Sequence, residues 1–201
     1  MNNYHWSPML TAQHGRMLIQ LARQTIEEYL GIKPENPVAQ ELLADPALQE
    51  KRAVFVTLNK RGQLRGCIGC LTGTESIVDG IKRYALNAAF NDHRFSPVTG
   101  KEVPELEIDI SFLTEPQTLQ YDDSEDLLKK LHPKIDGVIL KHSSGASATF
   151  LPQVWEQLPS PPLFLGHLCR KAGLSETEWR TGSLEIQVYQ VQYFKENSSI
   201  A

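Results

Sequence analysis

The stretch from Val54 to Gly69 constrains the fold most, because it commits the chain to antiparallel pairing. Val54, Val56 and Leu58 alternate with Phe55 and Thr57, the two-residue period of a strand with one buried face. Lys60-Arg61-Gly62-Gln63 reads as a turn, and Leu64 to Gly69 as the returning strand of a hairpin. So short a link excludes a parallel pair, which needs a crossover of about a dozen residues or more. Leu106, Ile108, Ile110 and Phe112 form another alternating strand, stopped by Pro116.

Helical periods fall between these strands. Met17, Leu18, Leu21, Ala22, Ile26, Tyr29 and Leu30 recur at three- and four-residue steps, which predicts an amphipathic helix over 12–30. Thr11 can cap its start, and Gly31 can end it in a left-handed turn. Pro34, Pro37 and Pro46 break up a connector with room for one short helix. Thr74 is placed to cap a second helix, with Ile77, Val78, Ile81, Tyr84, Ala85, Ala88 and Ala89 on one face.

The second half has different punctuation. Ser124 begins a short helix through Leu131. Val138 and Leu140 lie on a strand that turns at Ser143-Ser144-Gly145, and Ala148 to Leu151 returns. Pro152 suits the first turn of a helical piece, where its missing N–H costs nothing. Ser160 is expected to cap a helix from Pro161 to Ala172 with Gly173 as its stop, and Ser175–Glu178 has capping-box spacing before Trp179. Leu184, Ile186 and Val188 make the last strand, with a change of phase near Tyr189 that suggests a bulge. Hairpins and helices without regular β-α-β order predict an α+β fold: a mostly antiparallel sheet with flanking helices, plus a smaller α/β sub-domain. Residues 1–117 and 183–201 are expected to form the larger part, with the last strand returning to the first sheet, and residues 118–182 the smaller.

Composition narrows the function classes. The 201 residues suffice for one domain with a sub-domain. A net charge of −4 without a basic run disfavours a dedicated nucleic-acid binder, which needs clustered Lys and Arg to displace counterions. The apolar runs fall far short of the ~20 residues a bilayer helix needs, and Met1–Ser7 lacks the order of a signal peptide. The three cysteines, Cys67, Cys70 and Cys169, are an odd, low count that suggests free thiols in a reducing, cytoplasmic setting.

The chemistry points to Leu64-Arg65-Gly66-Cys67-Ile68-Gly69. If Leu64 and Ile68 face the core, Arg65 and Cys67 share the opposite face. Gly66 and Gly69 weaken a strand unless something approaches closely, so two glycines around a cysteine suggest exposed backbone and an accessible thiol. A neighbouring cation such as Arg65 favours thiolate, which makes Cys67 a candidate nucleophile. The competing reading is a buried, inert cysteine in a twisted hairpin. Cys67 and Cys70 form a C-x-x-C, but no second pair completes a zinc set, and positions three apart on a strand face opposite ways. No metal or cofactor is therefore predicted. His93 and His132 are possible bases for Cys67, although surface or turn roles suit both better. Asp92 and Arg94 either tie the end of the second helix, whose terminal carbonyls need partners, or present Arg94 to a ligand. Trp155 reads as a packing anchor, with Gln153 and Glu156 left to face a cleft.

These residues carry a resemblance. Phe55-Val56-Thr57-Leu58, Leu64–Gly69, Ala88-Ala89-Phe90, Asp92 and Arg94-Phe95 strongly resemble the AMMECR family. Ala148–Pro159 and Lys171-Ala172-Gly173-Leu174 look like its bacterial branch, the AmmeMemoRadiSam system protein A. The resemblance runs from about Leu10 to Phe194. It implies two sub-domains with a cleft toward which the hexapeptide side chains look. Taken together, the expected site is Cys67 with Arg65, Gly66, Gly69, Asp92, Arg94, Phe95, Gln153, Trp155 and Glu156. It also implies a Memo-type protein and a radical SAM protein as partners, and it names a site without naming a reaction. The family usually has Asp-Pro-Arg-Phe where this chain has Asp92-His93-Arg94-Phe95, which argues against His93 as a shared base. Two functions follow as expectations: a module gripping a protein segment or large ligand around Cys67, or an enzyme using Cys67 as nucleophile with Arg65 or Arg94 stabilising an anion.

Overall fold

A computed structural model describes residues 10–181 and 184–196. The fold is α+β, with two four-stranded sheets, and contacts group the chain into two compact units. Residues 10–113 and 192–196 form the first, and residues 114–191 the second.

In the first unit, α1 (Ala12–Tyr29) starts at Thr11, whose hydroxyl accepts the His14 N–H at 3.1 Å. It ends before Gly31, which adopts the left-handed conformation that glycine tolerates best. The connector holds two short helices where one was expected, α2 (Gln40–Leu43) and α3 (Pro46–Gln49). Strands β1 (Ala53–Lys60) and β2 (Gln63–Gly69) form the hairpin. Helix α4 (Ile77–Phe90) is capped by Ser76, two residues later than the Thr74 start. The reason is a β-bridge between Lys51 and Ser76, which holds this segment extended before the helix begins. Strand β3 (Leu106–Leu113) pairs with β1, and the sheet runs β2-β1-β3-β8. Val54, Val56, Leu58, Ile108 and Ile110 bury one face of this sheet against Leu18, Ile26, Ile81 and Ala85 of α1 and α4.

In the second unit, strand β4 (Gln117–Thr118) follows Pro116, a short element the sequence did not announce. Helix α5 (Ser124–Lys130) leads to the hairpin of β5 (Gly137–His142) and β6 (Ser147–Phe150). A 3₁₀ turn over Pro152–Glu156, helix α6 (Pro161–Lys171) and a 3₁₀ turn over Glu178–Arg180 complete its helical part. Ser160 occupies the cap position of α6 but its side chain makes no capping bond, and the last turn has no side-chain cap either, so the expected capping box does not form.

The last strand departs from expectation. β7 (Leu184–Tyr189) does not return to the first sheet; it pairs with β5 and β4 in the order β4-β7-β5-β6. Gly137 explains the fit, since a Cβ there would strike the Tyr189 ring. The phase change near Tyr189 is not a bulge but the end of β7. At Gln190 the backbone N–H donates to the Thr114 hydroxyl and the carbonyl accepts the Thr114 N–H. Beyond it β8 (Val191–Lys195) joins the first sheet. The boundary thus falls near residue 191 rather than 182.

Candidate functional site

Strand β2 is the edge of the first sheet, and its register decides what each hexapeptide side chain meets. Leu58 lies opposite Gly66, but Asn59 lies opposite Leu64, so Arg65 is an extra residue in a β-bulge. The bulge reverses the phase of everything before it. Ile68 packs on the core as expected, yet Leu64 does not: it is 43% exposed and shares the face of Asn59. Strict alternation placed it wrongly because one inserted residue exchanges the faces.

The two glycines serve packing rather than access. A Cβ at Gly66 would strike the Ala88 carbonyl of α4, and one at Gly69 would strike Phe55 and the Val54 carbonyl. Gly66 is buried and Cys67 half-buried. All three cysteines are free thiols.

Asp92 and Arg94 tie this strand edge, not the helix end. The Cys67 N–H donates to Asp92 Oδ2 at 2.9 Å, and Arg94 Nη2 donates to the Cys67 carbonyl at 3.2 Å. Arg94 also grips Asp92 through Nε at 2.9 Å and Nη2 at 2.7 Å. The Arg94 guanidinium and the N–H groups of Cys67 and Arg94 hold the buried Asp92 carboxyl well below its ordinary range, against desolvation. Phe95 supports the clamp, its ring centroid 5.5 Å from the Arg94 guanidinium carbon. Since both backbone groups of Cys67 point outward, Cys67 and Thr57 form the close, non-hydrogen-bonded type of cross-strand pair. The Thr57 hydroxyl accordingly donates to Cys67 Sγ at 3.2 Å.

Thr57 belongs to a polar row on the sheet face away from α1 and α4. Thr57 pairs across to Asp109, and Asn59 Nδ2 donates to Asp109 Oδ2 at 3.0 Å. Burial pushes the Asp109 carboxyl up, while Lys195 and Asn59 pull the other way. Thr57, Asn59 and Asp109 were absent from the expected site, although the alternation of β1 and β3 already put them on one face.

Arg65 is not presented to a ligand. Its Nε and Nη2 donate to Glu102 at 3.1 and 3.3 Å, and its side chain is 13% exposed. Glu102 also accepts from Lys60 Nζ at 3.2 Å and from Thr99. Arg65 foremost, with Thr99 and Lys60, lowers the Glu102 carboxyl to about 2.

The remaining expected residues belong to the second unit. Trp155 is fully buried; its Nε1 donates to the Asp136 carbonyl at 2.7 Å and its ring stacks on Phe164 at 3.8 Å. Trp155 is thus a packing anchor and not a binding residue, because a side chain without accessible surface touches no ligand. Gln153 and Glu156, on the same turn, are exposed. His132 hydrogen-bonds the buried Asp136, and His93 is exposed.

The family model described as AMMECR1 matches residues 19–194. The chain belongs to the AMMECR1 family. Among AMMECR1 relatives, a protein of Methanosarcina barkeri is 37% identical over 94% of this chain and 93% of its own length. One of Thermofilum pendens is 35% identical over 94% and 92%. The crystal structure of the uncharacterized protein PH0010 from Pyrococcus horikoshii superposes with a TM-score of 0.74 at 32% identity, covering 94% of both chains. No helix among the described residues is long and apolar enough to cross a membrane.

Proposed function

We propose that this AMMECR1-family protein is a binding module that grips a protein segment or large ligand on the Cys67 face of its first sheet. The observation that carries this reading is the partner of the thiol, the Thr57 hydroxyl, which is an alcohol and not a base. The nearby carboxylate, Asp92, is ion-paired and held strongly anionic, so it is a poor proton acceptor at neutral pH. Arg65 and Arg94, the expected anion stabilisers, are engaged by Glu102 and Asp92. Thr57, Asn59 and Asp109 instead supply donors and acceptors on neighbouring strands, a surface suited to recognition. The ligand lies on the sheet face rather than along the β2 edge, because the Asp92–Arg94 clamp already occupies the Cys67 N–H and carbonyl. Family membership supports a Memo-type protein and a radical SAM protein as its partners, and the free thiols support a cytoplasmic setting.

Two measurements test this. With a limiting thiol reagent and intact-mass detection, Cys67 is expected to react no faster than a free thiol of pKa ~8.5; fast, single-site labelling near neutral pH favours a cysteine-dependent enzyme instead. In co-purification with the Memo-type protein, Thr57→Arg is expected to abolish capture while leaving circular dichroism unchanged. Undiminished capture would remove the sheet face from the interaction.

A further inference from the structure

A cavity in the first unit is lined by residues of α1 and by residues 193–196, and not by Thr57, Asn59, Cys67 or Asp109. It has a volume of about 360 Å³ and opens between α1 and β8. Its floor is apolar and pre-formed. Gly15, in the interior of α1, is where a Cβ would collide with the Phe194 ring, so the absence of a side chain lets that ring lie under the helix. A glycine there costs about 1 kcal/mol of helix propensity, which the seated ring offsets. Phe194 is braced from behind by Phe112, with ring centroids 6.0 Å apart at 70°. Ile19, 6% exposed, completes the floor, and Tyr193, 41% exposed, forms one wall.

The polar groups on the rim are already engaged, with one exception. Both Glu196 oxygens accept from Arg23, and Oε2 also accepts the Ile108 N–H. Gln20 Nε2 donates to the Asn36 carbonyl at 2.8 Å. Arg16, exposed on α1, has no ion pair or hydrogen bond among the described residues. An apolar floor of this size with one uncommitted guanidinium at its edge matches the usual make-up of a small-molecule site, mostly apolar with a few orienting polar groups. Guanidinium is also the side chain best shaped for a carboxylate.

We infer that the α1–β8 cavity binds a small amphipathic carboxylate, its hydrocarbon body on Phe194 and Ile19 and its carboxylate on Arg16. Calorimetric titration of the full chain with octanoate, octylamine and acetate separates the two parts of this claim. Octanoate is expected to bind, and octylamine and acetate to bind at least ~10-fold more weakly, the factor one charge-assisted contact commonly supplies. Amide shifts on adding octanoate are expected at Ile19 and Phe194. Arg16→Glu is expected to weaken octanoate ~10-fold or more, with Arg16→Gln intermediate and circular dichroism unchanged for both. Equal binding of octanoate and octylamine, shifts that map elsewhere, no effect of either Arg16 substitution, or no octanoate binding at millimolar concentration would each overturn the inference. None of these results bears on Cys67, so this proposal fails or stands separately from the proposed function.

Discussion

The two units share a plan, four antiparallel strands and an apolar core, but Asp92 and Glu102 of the first and Asp136 of the second are shifted in opposite directions. In the first, Asp92 and Glu102 are each gripped by an arginine and held low, Glu102 to about 2. In the second, burial pushes Asp136 up, and only the backbone and ring of His132, with Gln190, pull it back. Asp92 and Glu102 therefore contribute as charges, whereas burial makes Asp136 reluctant to ionise. The difference follows from position. Asp92 and Glu102 brace a strand edge and a hairpin, where arginines reach them from the side. Asp136 sits beside the Trp155 ring, whose indole N–H donates to the Asp136 backbone carbonyl.

The strongest way to sharpen this contrast is to remove the anchor of the second unit. Trp155→Ala is expected to cost about 4 kcal/mol, as for truncating a large buried aromatic. Hydrogen exchange should show lost protection concentrated in residues 114–191; unchanged protection there would mean the ring is not the anchor. In the first unit the corresponding test is Gly66→Ala. The added Cβ meets the Ala88 carbonyl, which is backbone and gives little, so about 3 kcal/mol is expected, the upper part of the usual range for overpacking. Urea titration of the purified variant measures it, and a loss under about 0.5 kcal/mol would show that α4 moves aside.

Arg65→Ala comes next. A largely buried, bidentate arginine is not a surface residue, so a loss of about 2 kcal/mol is expected in the same titration, by analogy with hydrogen bonds to charged groups. Lys60 remains on Glu102 and limits the damage. Arg65→Lys should restore only part of it, because an ammonium cannot reproduce the fork. A silent Arg65→Ala would make the Glu102 hub irrelevant to stability.

The smallest effect expected is a divergence with pH. Glu102 and Asp92 have folded pKa values below their unfolded references of about 4.3 and 3.9. Their contribution is present above those references and is lost as pH falls, for Glu102 between about 4.3 and about 2. Asp136 has the opposite sign: its contribution is present below about 3.9 and is lost as pH rises through its raised folded value. Asp109 in the first unit shares that sign, and the half-buried Asp126 in the second shares that of Glu102, so both soften the contrast. Amide exchange recorded from pH 6 down to about pH 3 should show protection falling first around Glu102 and Cys67. Earlier loss around Asp136 would break the comparison.

Much of this was legible from residues alone. The hairpin, α1 with its Thr11 cap and Gly31 stop, and the buried alternation of β1 and β3 follow from local periods and turn chemistry, which neighbours in sequence decide. The family also follows from local motifs, because the hexapeptide and the 148–159 segment are contiguous. Other features depended on distant partners. Leu64 changes face because Arg65 bulges to reach Glu102, 37 positions away. Leu184–Tyr189 joins the second sheet because Gly137 leaves room for the Tyr189 ring. Gly66 is required by a helix carbonyl 22 positions on, and the thiol's partner is a hydroxyl on the neighbouring strand. A period specifies which residues share a face, but which atoms lie against that face is set when separate elements pack, and that is a property of the tertiary structure.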